Sequence, residues 1–231
     1  MGEADIFDSW STTKGAASGE TASKSAWTPA FQRGAGSEAC KRVMDVVLAG
    51  LALWVLLPAY CAIALAVVIE TRGPVLFRQR RTGLNGEIFT ILKFRSMTVT
   101  EDGDKIAHAT KNDVRVTRVG AFIRATSLDE LPQLVNVIMG DMSLVGPRPH
   151  ALAHDAHYGA LLPCYSKRFA VRPGLTGLAQ ISGLRGEIHE LSCMARRVEA
   201  DVHYANGWSF RDDILIICRT VPMILKRVNA Y

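Results

Sequence analysis

The sequence predicts an α+β protein, predominantly helical and monotopic in a membrane. A re-entrant helix–break–helix should lead into a cytoplasmic domain with a small β-hairpin. Three observations carry this. Residues 46–69 are 24 consecutive positions without a charge, interrupted at the middle by Pro58. Asn85-Gly86 sits between two short apolar-alternating runs. Most of the remaining chain falls into helix-length stretches separated by Gly and Pro.

Residues 1–38 are rich in Gly, Ala, Ser and Thr without apolar period and read as a disordered tail. Its mixed charges and missing apolar core are not those of a signal peptide. The tail carries a net −2 and the other residues +7, so the body suits anionic partners such as head groups, nucleotides and phosphates. Five scattered cysteines without a CxxC exclude a disulfide framework or zinc ribbon and fit a reducing compartment.

The membrane segment is assigned to 39–72 and the cytoplasmic domain to 73–231. A charge-free run of this length reaches across a bilayer, but two features oppose a plain span. Pro58 removes a helical hydrogen bond and should push Leu57 out of helical geometry. Bases flank both ends: Lys41 and Arg42 before, Arg72, Arg78, Arg80 and Arg81 after. Positive flanks belong on the cytoplasmic side, which both ends share only if the segment enters and returns. Two half-helices of about 12 residues reach about 18 Å each, one leaflet. A single kinked span is the alternative.

Beyond Gly73-Pro74, "LNGE" marks a hairpin turn. Residues 100–113 form a polar loop, and "GDMSLVGPRPH" and "RPGLTGLAQISGLRGE" are turn-rich loops. Helices are expected at 151–171, 189–206 and 212–228, the last bent by Pro222 with Lys226 and Arg227 at its C-terminal end.

"TSLDELPQL" sets Asp129 and Glu130 side by side. Ser127 and Glu130 match a capping box, S-x-x-E. Pro132 would then occupy the fifth helical position, where its missing amide is costly. With Asp129 as N-cap it takes the third, where the loss is small. A helix from Asp129 to about Met139 is therefore predicted, with both carboxylates at an end that attracts phosphate. Local rules leave capping and chemistry equally open.

The surroundings favour chemistry. Lys93 and Arg95 in "LKFRSM", Arg124, Arg148 between two prolines, and Arg172 in "VRPGLTG" form a set of bases in Gly/Pro/aromatic contexts suited to an anion. A carboxylate can attack phosphorus, and Mg2+ takes one or two carboxylates plus phosphate oxygens.

"GPVLFRQRRTGLNGEIFTILKFRSM", "TRVGAFIRATSLDELPQLVNVIMGDMSLVGPRPH" and "VRPGLTGLAQISGLRG" together resemble the bacterial sugar transferase family over residues 40–231. These are the monotopic phosphoglycosyl transferases that start exopolysaccharide, capsule and O-antigen assembly. The resemblance implies transfer of a sugar 1-phosphate, from UDP-galactose or UDP-glucose, to undecaprenyl phosphate with release of UMP. It implies a covalent intermediate on Asp129 and a supporting Glu130, either metal-associated (Mg2+) or hydrogen-bonding. Arg124 and Arg148 would recognise phosphate, with Lys93 and Arg95 nearby. It further implies the bacterial inner membrane with its phospholipid, a cytoplasmic catalytic domain, and downstream glycosyltransferases as partners. The family's membrane helix breaks at a proline that a serine often precedes. Here Pro58 follows Leu57, so no serine hydroxyl can contribute. "SGLRGEIHEL" resembles the succinoglycan-type branch without naming the sugar.

Three competing readings exist. Asp102-Gly103-Asp104 is a DxD, used for metal by many glycosyltransferases but also ordinary turn chemistry. His150, His154 and His157 would share one helix face, as metal ligands or as a polar surface. A basic membrane-surface scaffold would leave Asp129 and Glu130 as caps only. Nucleic acid is not an expected partner, since aromatic residues are sparse.

Overall fold

The computed structural model describes residues 35–98, 113–186, 188 and 190–225. The expectations for residues 1–34, for the DxD at 102–104 and for Lys226 and Arg227 fall outside them.

Helix α1 (Ala35–Val55) begins within the stretch read as tail and is followed at once by α2 (Leu57–Glu70). Among the described residues no single helix is long and apolar enough to cross a membrane, but this pair is by length and composition, and it bends by 63°. The break falls one residue earlier than expected. Leu56 leaves helical geometry (φ −88°, ψ 2°), while Leu57 starts α2 with Pro58 in its first turn. That correction has a simple cause: a first-turn proline has no amide hydrogen bond to lose and its fixed φ suits the helix.

The inner side of α1 is polar over its first turns and apolar from Ala49 on. Lys41 and Asp45 are buried with Ala49 at successive four-residue steps. Lys41 Nζ donates to Asp213 Oδ2 at 2.6 Å, and Asp45 accepts from Ser143 Oγ at 2.8 Å and Leu144 N at 3.2 Å. Its other side exposes Val43, Val47, Leu51, Trp54 and Val55, and α2 exposes Leu57, Leu65, Val68 and Ile69.

Strands β1 (Leu76–Thr82) and β2 (Ile88–Phe94) form the expected antiparallel hairpin, in register from Leu76↔Phe94 to Thr82↔Ile88. Asn85 (φ 55°) and Gly86 (φ 80°) supply the left-handed turn residues. A second, two-stranded parallel sheet joins β3 (Ser143–Val145) to β4 (Gly174–Thr176). Both strands lie in stretches read as loops, being too short for a period-2 signal. Gly146 and Gly174 allow the contact: a Cβ on Gly174 would stand 2.1 Å from Gly146 N.

Between the sheets run α3 (Arg118–Ala125), a 3-10 turn (Leu128–Glu130) and α4 (Gln133–Met139). The Glu70 carboxylate accepts from the amides of Arg118 (2.7 Å) and Val119 (3.0 Å), tying the end of α2 to the start of α3. The helix expected at 151–171 is two pieces, α5 (Leu152–Leu161) and a 3-10 turn (Tyr165–Ala170). Leu162, forced extended ahead of Pro163, separates them. Short α6 (Leu178–Ile181), then α7 (Leu191–Gly207) and α8 (Phe210–Leu225) with Pro222 inside it, complete the described chain.

Two apolar clusters hold α4 and its neighbours. Ala49, Ile91, Leu134, Val137 and Met142 join α1, β2 and α4. Ile63, Val67, Phe94 and Ile123 join α2, β2 and α3. The hairpin's second strand is thus the floor on which the carboxylate pair is set.

Candidate active site

Asp129 and Glu130 lie on the 3-10 turn rather than at the N-cap of an α-helix. The α-helix starts only at Gln133, with Pro132 as its N-cap residue. Neither expected cap forms: Ser127 has left-handed geometry (φ 58°), and neither turn nor helix has a side-chain cap bond. Local rules placed the proline at the third helical position; the chain instead closes a separate turn before it. Left-handed geometry at a serine costs about 1–2 kcal/mol, and the Ser127 hydroxyl accepts a 2.8 Å bond from Arg185 that holds it there.

Asn136 fixes α4 over the hairpin. Fully buried, its Nδ2 donates to Thr90 O at 2.8 Å and its Oδ1 accepts from Leu92 N at 3.0 Å. The next β2 residue, Lys93, then reaches Glu130 Oε1 at 3.0 Å. Arg148, presented by the Pro147-Arg148-Pro149 strap, donates to both Glu130 oxygens, its Nη1 to Oε2 at 3.1 Å. Glu130 is 7% exposed, and both its oxygens accept hydrogen bonds. Burial would raise its pKa, but Arg148 and Lys93 outweigh that and hold the carboxyl well below the usual range. Burial pushes the Lys93 ammonium down, and Arg148 adds to this against the pull of Glu130.

Asp129 is different. It is 8% exposed, and its carboxylate accepts no hydrogen bond among the described residues. Burial, with the Glu130 charge adding to it, pushes the carboxyl up to about 6, against Lys93, Arg124 and Arg148. A bare, poorly solvated carboxylate facing fixed cations has the chemistry a nucleophile at phosphorus needs.

Of the predicted bases, Lys93, Arg124 and Arg148 face the pair. Arg95 and Arg172 do not. Arg95 donates to the Thr71 and Arg72 carbonyls at 2.7 and 3.1 Å, closing the end of α2. Arg172 Nε donates to Gly140 O at 3.0 Å, behind α4. Arg185, in "SGLRGE", was not singled out in the sequence, yet its charge lowers the pKa of Glu130. Its place among Gly-rich residues after "GLAQ" was the available signal.

His150 lies outside α5 and is buried, its Nδ1 2.7 Å from the Tyr165 hydroxyl. His154 and His157 pack their rings near Tyr158, with centroids 6.5 and 4.9 Å away. Among the described residues no group of three or more His, Cys, Asp and Glu could hold a metal. The donor set at the carboxylate pair is nonetheless two hard oxygen ligands, one of them bare, which suits an ion that arrives with phosphate oxygens.

A model of the family described as bacterial sugar transferase matches residues 36–227. The chain belongs to that family. This bacterial sugar transferase is therefore an enzyme of the transferase class. It is 53% identical over 191 residues to a Caulobacter vibrioides protein named UDP-glucose:undecaprenyl-phosphate glucose-1-phosphate transferase, covering 83% of this chain and 72% of that one. The Escherichia coli protein of the same name is 52% identical over 191 residues, 83% of this chain and 41% of its own. The exopolysaccharide production protein PSS of Rhizobium leguminosarum is 44% identical over 195 residues, 83% of this chain and 98% of its own. The sugar transferase thus spans about two fifths of the E. coli relative and nearly all of the Rhizobium one.

Proposed function

We propose that the chain transfers a hexose 1-phosphate, glucose 1-phosphate first among the candidates, from its UDP-sugar to undecaprenyl phosphate and releases UMP. That would be the first membrane step of exopolysaccharide assembly. The observation that carries it is the bare Asp129 carboxylate beside a Glu130 neutralised by Lys93 and Arg148. The names of the Caulobacter and E. coli relatives favour glucose; UDP-galactose is the second substrate to assay.

Asp129 attacks the sugar-bearing phosphorus. A carboxylate oxygen–phosphorus bond forms, and the bond from that phosphorus to the bridging oxygen breaks. UMP leaves with the oxygen and the electron pair. A phosphate oxygen of undecaprenyl phosphate then attacks the same phosphorus and Asp129 departs as a carboxylate, so neither step requires a proton. Phosphoryl transfer needs mainly positioning and neutralisation of charge, which Arg124, Arg148 and Lys93 supply in a site shielded from water. Mg2+ would be held by Asp129 and Glu130 and would add charge neutralisation.

The exposed apolar residues of α1 and α2 favour a re-entrant insertion in the phospholipid of the bacterial inner membrane. The catalytic domain would face the cytoplasm and hand its product to downstream glycosyltransferases. A scaffold without chemistry is supported by no observation at the pair.

The test is Asp129→Asn. Asp129 caps neither the turn nor α4 and asparagine is nearly isosteric with it, so the variant should fold like the parent and lose at least about 1000-fold in transfer, as expected when a covalent step is removed. Retained transfer would refute the mechanism.

A further inference from the structure

Beneath the Pro147-Arg148-Pro149 strap lies a buried polar network that the proposed chemistry does not touch. At its centre is Arg168, 2% exposed. Its Nη2 donates to the Arg148 carbonyl at 2.6 Å and to Asp201 Oδ2 at 2.8 Å, and its Nε donates to the same oxygen at 3.2 Å. Its Nη1 meets His150 Nδ1 at 2.9 Å and the Tyr165 hydroxyl at 3.2 Å. Tyr165 donates in turn to Asp155 at 2.6 Å, and Thr82 of β1 donates to the other Asp155 oxygen at 2.7 Å.

A buried guanidinium is costly unless its partners are well placed, and this one spends a donor on a single backbone carbonyl. That carbonyl is a special one. The peptide joining Arg148 to Pro149 has no N–H, so the Arg148 oxygen is its only hydrogen-bonding group. Arg168 therefore fixes the plane of the peptide next to the Cα that carries the Arg148 side chain toward Glu130, while Gly174 N and Arg81 Nη1 hold the flanking Pro147 and Pro149 carbonyls at 2.8 and 3.3 Å. Asp201, buried on α7, supplies the counter-charge that keeps the guanidinium under the strap.

We propose that Arg168, held by Asp201, is a positioning residue that sets Arg148 against Glu130. This rests on the reading above, in which Arg148 and Glu130 belong to the reacting site. Without Arg168 the strap loses its fixed plane and the Arg148 fork drifts from Glu130. Displacements of about 1 Å at such contacts cost on the order of 100-fold in rate.

The experiment is a double-mutant cycle on the full chain in lipid nanodiscs, reading kcat/KM for UDP-glucose with undecaprenyl phosphate. R168Q alone should lose about 10–100-fold. R148Q alone should lose at least as much, and the double variant should fall no more than about 3-fold below R148Q, because residues acting as a unit are not additive. If the R168Q loss recurs in full in the R148Q background, Arg168 acts elsewhere and the proposal is overturned, with the site reading intact. An unimpaired R168Q overturns it likewise. If R148Q alone retains parental activity, both the proposal and the site reading fall. Should R168Q fail to fold, Asp201→Asn carries the same cycle, since asparagine keeps an oxygen for the guanidinium but removes the charge.

Discussion

Asp129 and Glu130 are adjacent in sequence and nearly equal in burial, yet their partners push them to opposite chemistry. Glu130 takes the hydrogen bonds of Lys93 and Arg148, and Asp129 takes none among the described residues. Burial, then Glu130, raises the Asp129 pKa to about 6, and only its deprotonated form can attack phosphorus. Transfer should therefore fall as pH drops through about 6 and level off above it; a kcat/KM profile checks this. Glu130→Gln removes the neighbouring negative charge while Lys93 and Arg148 stay close to Asp129. The acid limb of the residual activity should then move to lower pH, and a limb that moves up would contradict the assignment. At this scale the sequence was legible in drawing Lys93, Arg124 and Arg148 to the pair, and it did not foretell that Arg95 and Arg172 donate to backbone carbonyls. A base flanked by Gly, Pro or Phe looks the same whether it binds a phosphate or closes a helix on carbonyls far away in the chain. Only the partner distinguishes them, and the partner of Arg95, at Thr71, is set by tertiary packing.

Elements explain why these residues meet. The hairpin turn at Asn85-Gly86 and the bent helix pair at Pro58 were legible because each rests on a local backbone rule. The start of α4 was not: two local solutions competed around Pro132, and packing of Asn136 on β2 chose a third. The parallel pairing of β3 with β4 left no signal in strands of three residues each. The junction between α2 and β1 gives an element-scale prediction. Gly73 has φ +126°, and a Cβ there would stand 2.3 Å from Arg95 Nη1. Gly73→Ala should cost about 2–4 kcal/mol through left-handed strain and overpacking. In a domain of this size the melting temperature should drop by about 5–15 °C; an unchanged melting temperature would contradict the packing described.

For the whole molecule, polar contacts bind the bent pair to the rest of the fold from its inner side while apolar side chains cover its outer side. Lys41, Asp45 and Glu70 fasten α1 and α2 to α8, β3 and α3. The re-entrant insertion proposed above predicts a topology. Single cysteines at Glu38 and Val75, in a chain cleared of its five native thiols, should react with an impermeant reagent from the same side of sealed vesicles. Labelling from opposite sides would establish a span instead. Whether Asp129 carries the sugar phosphate can be measured without an acceptor. The purified chain is mixed with UDP-glucose labelled in its sugar-linked phosphate, and protein and nucleotide are separated after denaturation. Label on the protein and release of UMP are expected, and neither in Asp129→Asn. Protein left unlabelled, with no UMP released, in a preparation that transfers once undecaprenyl phosphate is added would contradict the covalent intermediate.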